Sequence, residues 1–132
     1  MSNEILQPAG WPSPRGYANG IACRGKLIFV AGQVGWDQNG RFTSNRLSGQ
    51  AHQAFRNIAA VLAEAGAEPQ HVVRLTWYVT DVQAYRDQST EIGAAYRDVF
   101  SKHFPAMTLV QVGGLVEKDA LVEIEATAVI PD

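Results

Sequence analysis

The stretch FPAMTLVQV, residues 104–112, predicts a strand that the chain enters through a proline. Pro105 disfavours a helical conformation in the residue before it, so it ends the helical pattern that precedes it. Apolar and β-branched residues then follow, which is typical of a strand. Met107 is a flexible thioether at the start of this strand, where a β-branched residue would favour the strand more strongly. The methionine therefore needs an explanation beyond strand formation.

A second predicted strand, LVEIEATAV in residues 121–129, carries Glu123 and Glu125 among apolar residues. Side chains alternate between the two faces of a strand. We expect the helices to cover the face formed by Val122, Ile124, Ala126, Ala128 and Ile130. In residues 104–112, the β-branched set Thr108, Val110 and Val112 is expected to face the same way. Met107 is therefore expected on the far face of the sheet, together with Glu123.

The far face predicted in this way is too apolar for open contact with water. Beside the two glutamates, its expected members include Met107, Leu109, Gln111, Leu121 and Val129. An exposed apolar patch of this kind commonly marks an interface. We expect a homo-oligomer that packs these faces together and leaves clefts containing the polar groups. The alternative is an amphipathic sheet face that tolerates its leucines.

Hydrophobic periodicity along the chain predicts the element order β-β-α-β-α-β-β. Strands are expected near residues 17–23, 26–32, 73–79, 107–112 and 121–130, and helices over residues 46–65 and 85–100. Arg24 and Gly25 are expected to form a tight turn between the first two strands, and Asp81 is expected to cap the second helix. Residues 1–16, rich in Pro and Gly, are expected to be an extended lead-in. The order predicts one α+β domain, residues 1–132, with both helices on one face of a mixed sheet.

Composition and charge are those of an ordinary globular domain. The 132 residues carry a formal net charge of −2 with scattered Lys and Arg, so nucleic acid is not an expected partner. Cys23 is the single cysteine, and no signal-peptide pattern is visible, which together favour a cytoplasmic protein. No apolar run approaches the ~18 residues of a membrane span. The three histidines are not spaced as metal ligands, so we expect no metal and no cofactor.

Several segments together resemble the Rid/YjgF family of reactive-intermediate deaminases. They are GYANG (16–20), IFVAGQVGWD (28–37), QAFRNIAAVLAEAGA (53–67), VVRLTWYVTD (72–81), AYRDVF (95–100), FPAMTLVQV and LVEIEATAV. The resemblance implies a chorismate-mutase-like (YjgF-like) α+β fold. It also implies a homotrimer whose packed sheets form a central barrel, with small-molecule clefts between the subunits.

The resemblance implies two catalytic residues. A tyrosine near the N-terminus that closes the site matches Tyr17. A glutamate in the last strand, which positions water for attack on an imine carbon, matches Glu123. In the deaminating branch an arginine directly after FPA holds the substrate carboxylate, and this chain has Met107 at that position.

Other positions implied to line the cleft also differ from the family pattern. Ala31 stands where a serine is usual, next to Gly32, and Gly93 stands where an asparagine is common. Leu109 stands where a cysteine is often found. Most polar anchors for an amino-acid-derived imine are therefore replaced in this chain. Arg15, two residues before Tyr17, is an alternative source of the missing cation.

These replacements bear on the ligand and the chemistry. Methionine cannot form the paired, charge-assisted hydrogen bonds that arginine makes with a carboxylate, so we expect a neutral, cationic or aromatic ligand. One hypothesis is a hydrolase of imines or enamines that uses Glu123 and water. The second is a non-catalytic trimer that binds a small ligand or a partner protein, with Glu123 only closing a hydrogen-bond network. Endoribonuclease activity is a third and weaker hypothesis, because the sequence has no basic patch. Glu125 is expected to be structural.

Overall fold

The computed structural model describes residues 3–132. Its elements are β1 (Glu4–Leu6), β2 (Gly20–Ala22), β3 (Lys26–Val34), α1 (Leu47–Glu64), a 3₁₀ turn (Pro69–His71), β4 (Val72–Val79), α2 (Val82–Asp87), α3 (Ser89–Phe100), β5 (Ala106–Gln111) and β6 (Val122–Ile130). Residues 1–2, which belong to the predicted lead-in, lie outside the described residues.

Four strands form the main sheet in the order β3-β6-β4-β5. Strand β6 is antiparallel to both of its neighbours, whereas β4 and β5 are parallel. Phe55 of α1 is fully buried against this sheet and meets the ring of Trp77 edge-on. It also meets the rings of Tyr96 and Phe100 from α3 edge-on. The predicted α+β fold, with helices on one face of a mixed sheet, is confirmed.

Both predicted helix signals lie where the sequence places them. The apolar stripe of α1 is buried and includes Ala51, Ala54, Phe55, Ile58 and Leu62. Just beyond its C-cap, Gly66 has a φ of 72°, a left-handed conformation that favours glycine and ends the helix. The Asp81 carboxylate accepts hydrogen bonds from the backbone N–H groups of Gln83 and Ala84, which satisfies the first turn of α2.

Two local predictions are wrong. The expected hairpin of residues 17–23 with 26–32 does not form, because β2 pairs with β1 in a separate two-stranded sheet. The lead-in therefore contains a strand, one too short for its alternation to be recognised. The predicted second helix is divided at Gln88, which ends α2 and begins α3. The Gln88 side chain accepts a hydrogen bond of 2.9 Å from the backbone of Ser48, which ties this break to α1.

The predicted orientation of β5 is also wrong. Parallel pairing sets Met107 beside Leu75 and Leu109 beside Trp77, and both of those β4 residues are buried beneath the helices. Met107 and Leu109 accordingly pack against the hydrophobic core. Gln111 also faces the helices, since its side chain accepts a hydrogen bond from the backbone N–H of Val82. Met107 and Glu123 therefore lie on opposite faces of the sheet.

The far face is apolar, as expected, but its members differ from the prediction. Its large exposed side chains are Phe29, Leu27 and Val110, which are 73%, 56% and 41% exposed. Val129 pairs with Leu27 and so lies on this face as predicted, but it is buried, and Leu121 packs against the core instead of facing outward. Alternation divides a strand into two sets of side chains, but it does not state which set a neighbouring layer covers.

Candidate functional site

Glu123 lies directly against the backbone of Gly32. The pairing of β3 with β6 shifts register between Val30 and Gln33, which is the irregular part of β3 that contains Gly32. A Cβ built on Gly32 would lie 2.7 Å from Cδ and 2.8 Å from Cγ of Glu123. Real Cβ atoms do not approach other carbons so closely, so the position of the carboxylate requires glycine at residue 32.

The Glu123 carboxylate is partly buried and is not engaged by the rest of the described chain. Neither ion pair found in residues 3–132 involves Glu123; these pairs are Arg46–Glu91 and His52–Asp98. No side chain in the same range donates a hydrogen bond to it. Its oxygens are therefore left for water or a ligand, which is the requirement for a general base.

Glu125, two residues along the same face, has a different environment. The hydroxyl of Tyr78 donates a 3.0 Å hydrogen bond to Oε1 of Glu125. This hydrogen bond, with desolvation and the nearby negative charges, raises the pKa of Tyr78 above its usual value. Both residues line a depression of about 590 Å³ that also includes Ala31 and Arg74. This hydrogen bond from Tyr78 agrees with the structural role expected for Glu125.

Met107 lines a separate cavity of about 290 Å³ on the helix face of the sheet. The other lining residues are Gly16, Trp77, Tyr85, Ser89, Ile92, Gly93, Tyr96, Arg97 and Phe104, so four of the ten are aromatic. Two of the predicted substrate-binding residues, Met107 and Gly93, meet here. Leu109 does not line this cavity; it packs against the core.

Tyr17 stands near the entrance to the Met107 cavity. The backbone N–H of Ala18 donates a 3.0 Å hydrogen bond to the carbonyl of Pro105, so the N-terminal segment runs beside the start of β5. Gly16 lines the cavity, whereas the Tyr17 side chain is 41% exposed. Arg15 is exposed and is not among the lining residues.

The predicted site residues thus form two groups that do not converge within one chain. Glu123, Gly32 and Ala31 lie at β3 and β6, whereas Met107 lies on the opposite face of the sheet, beneath Gly93 of α3. Strand β4 separates β6 from β5. A single cleft that contains both groups requires a second copy of the chain.

Two residues at the Met107 cavity were missed by the sequence analysis. Arg97 follows Gly93 by one helical turn, a spacing that places both on one side of α3. Trp77 lies within the strand predicted near residues 73–79 and was not singled out as a site residue. Its indole Nε1 is the one buried side-chain polar atom in residues 3–132 without a hydrogen-bond partner. The four-residue spacing could have identified Arg97, but no sequence signal marks an unpaired indole.

Comparison with known proteins identifies the family. The model of the family described as Endoribonuclease L-PSP matches residues 11–130. A RutC family protein of Pyrococcus abyssi is 34% identical over 130 residues, covering 97% of this chain and 98% of that protein. The chain belongs to the Rid/YjgF family. The human Rid relative named 2-iminobutanoate/2-iminopropanoate deaminase is 30% identical over 130 residues, covering 98% of this chain and 91% of the human protein.

Solved Rid structures agree with this assignment. A protein of the conserved Rid family from Yersinia pestis has a TM-score of 0.86 and 30% identity, and the match covers 98% of this chain and all of that one. Over the described residues, no group of His, Cys, Asp and Glu side chains is arranged to hold a metal ion. None of the helices between residues 3 and 132 has the length and hydropathy needed to cross a membrane.

Proposed function

We propose that this Rid-family protein is a small-molecule hydrolase that deaminates imines or enamines, with Glu123 as general base. The observation that carries the proposal is the contact between Glu123 and Gly32, which holds an unpaired carboxylate beside the irregular part of β3. A partly buried strand position that keeps a free carboxylate against a glycine is better suited to chemistry than to packing.

The reaction consumes one water molecule and leaves Glu123 in the protonation state in which it began. Glu123 accepts a proton from water as the oxygen bonds to the imine carbon, and the same carboxyl group returns that proton to the nitrogen, giving a neutral tetrahedral carbinolamine. The Glu123 carboxylate then takes the proton of the new hydroxyl group and passes it to the nitrogen. The C–N bond breaks as the carbonyl forms, and ammonia leaves. Tyr17, which matches the tyrosine that the family resemblance implies closes the site, is proposed to have that role here.

The substrate of this reaction is not held by a cation at position 107. Met107 offers a polarizable apolar surface and no hydrogen-bond donor, and Gly93 offers no side chain at all. A small 2-imino acid therefore lacks the paired hydrogen bonds that an arginine at residue 107 would supply. We propose a substrate that binds mainly through an apolar or aromatic body.

The functional unit is proposed to be a homotrimer. The two groups of site residues lie on opposite faces of one sheet, so only a second copy of the chain can bring them to one cleft. The exposed apolar side chains Leu27, Phe29 and Val110 supply the surface that such copies would bury. The number of subunits rests on the family resemblance, and sedimentation equilibrium tests it directly: a monomer at working concentration would contradict it.

Ammonia release from imines generated in solution tests the catalytic role. We expect turnover by the wild type and a loss of at least a hundredfold in Glu123→Gln, since a general base typically contributes 10²–10⁴ in rate. Glu125→Gln is the matched control, because it removes a carboxylate from the same face of the same strand while leaving Glu123 in place. Equal rates in the wild type and Glu123→Gln would exclude Glu123 as the base.

A non-catalytic binding protein is the second candidate. It is favoured by the absence of polar side chains at Met107 and Gly93, where the resemblance implies anchors for a substrate. Ligand-induced thermal stabilisation without release of product from any imine would support this function. Endoribonuclease activity has no comparable support, because a chain with a net charge of −2 lacks the basic surface that RNA phosphates require.

A further inference from the structure

Glu123 lies where the ladder of hydrogen bonds between β3 and β6 is interrupted. The register shifts between Val30 and Gln33, and the pairing then continues for only two residues, with Val34 opposite Glu123. A bulge of this kind leaves part of the ladder unpaired and lets the strand bend. The ladder therefore fixes the backbone around Glu123 less firmly than it would in a regular sheet, and contacts from outside the sheet matter more.

Asn57 of α1 holds the end of β3. Its Nδ2 donates hydrogen bonds to the backbone carbonyls of Val34 and Trp36, at 3.0 and 2.8 Å. Its Oδ1 accepts a 2.9 Å hydrogen bond from Nε2 of Gln53. Both N–H groups and the oxygen of the amide are thus engaged, so its orientation is fixed. Because Val34 lies opposite Glu123, Asn57 anchors the backbone beside the proposed base.

Gln50 of α1 holds the chain at the start of β6. Its Oε1 accepts a 2.8 Å hydrogen bond from the backbone N–H of Leu121, two residues before Glu123. Its Nε2 donates to the backbone carbonyls of Ser44 and Asp119, both at 3.0 Å. Gln50 is only 1% exposed, and a buried amide that loses such partners destabilises the fold. The backbone that leads into Glu123 is therefore held firmly by this side chain.

Both anchors come from the same side of one helix. Gln50 and Asn57 are seven residues apart in α1, which is close to two full turns. Gly35 lets this side of the helix approach the strand, since a Cβ there would lie 2.6 Å from Cα of Gln50. Neither amide donates a hydrogen bond to the carboxylate. Helix α1 thus fixes the two backbone segments that meet where Glu123 contacts Gly32.

We propose that Gln50 and Asn57 are positioning residues, which hold the Glu123 carboxylate against Gly32 from the opposite side of the sheet. This inference rests on the proposed hydrolysis and deepens it, because it states what places the general base. Loss of either amide frees a strand segment, and a displacement of about 1 Å at a reacting group can lower a rate about a hundredfold. Substrate binding at Met107 should be spared, since neither amide lines that cavity.

Steady-state kinetics of ammonia release test this role. Asn57→Asp keeps the shape of the side chain but loses both N–H donors, and Gln50→Met fills a similar space without hydrogen bonds. In each variant we expect kcat to fall by about tenfold or more with KM changed by less than about twofold, as for a group that acts only in the transition state.

Ile58→Val is the matched control for a general loss of stability. It removes one methylene from a fully buried residue of the same helix and leaves every hydrogen bond in place. This variant should keep the kcat of the wild type. A wild-type kcat in both Asn57→Asp and Gln50→Met, or an equal loss in Ile58→Val, would overturn the proposal.

The nuclear Overhauser effect between the α protons of Gly32 and the γ protons of Glu123 tests the position without any turnover. It should be strong in the wild type and in Ile58→Val, and weakened in Asn57→Asp and Gln50→Met. An unchanged effect in both variants would overturn the proposal. A weakened effect in a protein whose wild type releases no ammonia would refute the hydrolysis and support the positioning. Turnover lost in Glu123→Gln but retained in Asn57→Asp and Gln50→Met would refute the positioning and support the hydrolysis.

Discussion

The carboxylate of Glu123 occupies the space that a side chain at Gly32 would fill, with Cγ and Cδ at 2.8 and 2.7 Å from the position of a Cβ there. These two residues come from adjacent strands, β6 and β3, at the point where their register shifts. The catalytic hypothesis therefore depends on a glycine whose own chemistry is inert. The neighbouring Ala31 is less critical for the position of Glu123, because it is exposed and faces a broader depression.

Gly32→Ala should displace the Glu123 carboxylate and lower activity. The added methyl group overlaps only the side chain of Glu123, which is partly exposed and can turn away, so the free energy of unfolding should change little. Imine turnover should fall at least tenfold, and urea denaturation should show a midpoint close to that of the wild type. Gly113→Ala is the matched control, because a Cβ at Gly113 meets nothing within 4 Å. A Gly32→Ala protein with wild-type turnover would show that the position of Glu123 is not important.

Gly93→Ala should stabilise the fold. Alanine is favoured over glycine within a helix by about 0.5–1 kcal/mol. The new Cβ meets only the flexible end of Arg97, at 3.3 Å, and that guanidinium can shift away. Urea denaturation measures the free energy of unfolding of both proteins. A lowered free energy of unfolding would mean that Arg97 cannot move and is part of a rigid wall.

Met107→Arg should confer or increase deamination of 2-iminopropanoate. The substitution restores the cation that the family resemblance places after FPA, and a carboxylate substrate then gains paired hydrogen bonds. Ammonia release, measured for both proteins, checks the expectation. Met107→Leu is the control, since it keeps an apolar side chain of similar size. If the wild type already equals Met107→Arg, the missing arginine is unimportant and Arg97 or Arg15 supplies the charge.

Tyr78 should ionise at higher pH than an ordinary tyrosine. Its hydrogen bond to Glu125 stabilises the protonated phenol, and desolvation and negative charge act in the same direction. Because the folded-state pKa of Tyr78 is raised above the ordinary tyrosine value of 10.0, this contribution to stability is present below pH 10.0 and is lost as pH rises through the folded-state value. Ultraviolet titration of tyrosinate, compared between the wild type and Glu125→Gln, measures the shift. An unchanged titration in Glu125→Gln would rule out the hydrogen bond as its main cause.

The elements of this domain were largely predictable from local patterns. The apolar stripe of α1, the glycine after its C-terminus and the Asp81 cap are each decided by interactions within a few residues. The pairing of β1 with β2 was not predictable, because three-residue strands are too short to show alternation and their partner is set by tertiary contacts. The break at Gln88 has a similar origin, since the side chain bonds to a residue of α1 that is 40 positions away.

The sequence by itself determined the α+β class, the family and the unusual residue at position 107. Tertiary structure alone decided which sheet face Met107 occupies, because alternation separates two sets of side chains without stating which set the helices cover. Parallel pairing with β4 sets Met107 beside the buried Leu75, and this places it across the sheet from Glu123. The unpaired indole of Trp77 likewise depends on how the helices pack against β4, whereas the approach of Arg97 to Gly93 follows from their four-residue spacing in α3. Met107, first noted as a poor strand former, is thereby explained as a wall of an aromatic cavity.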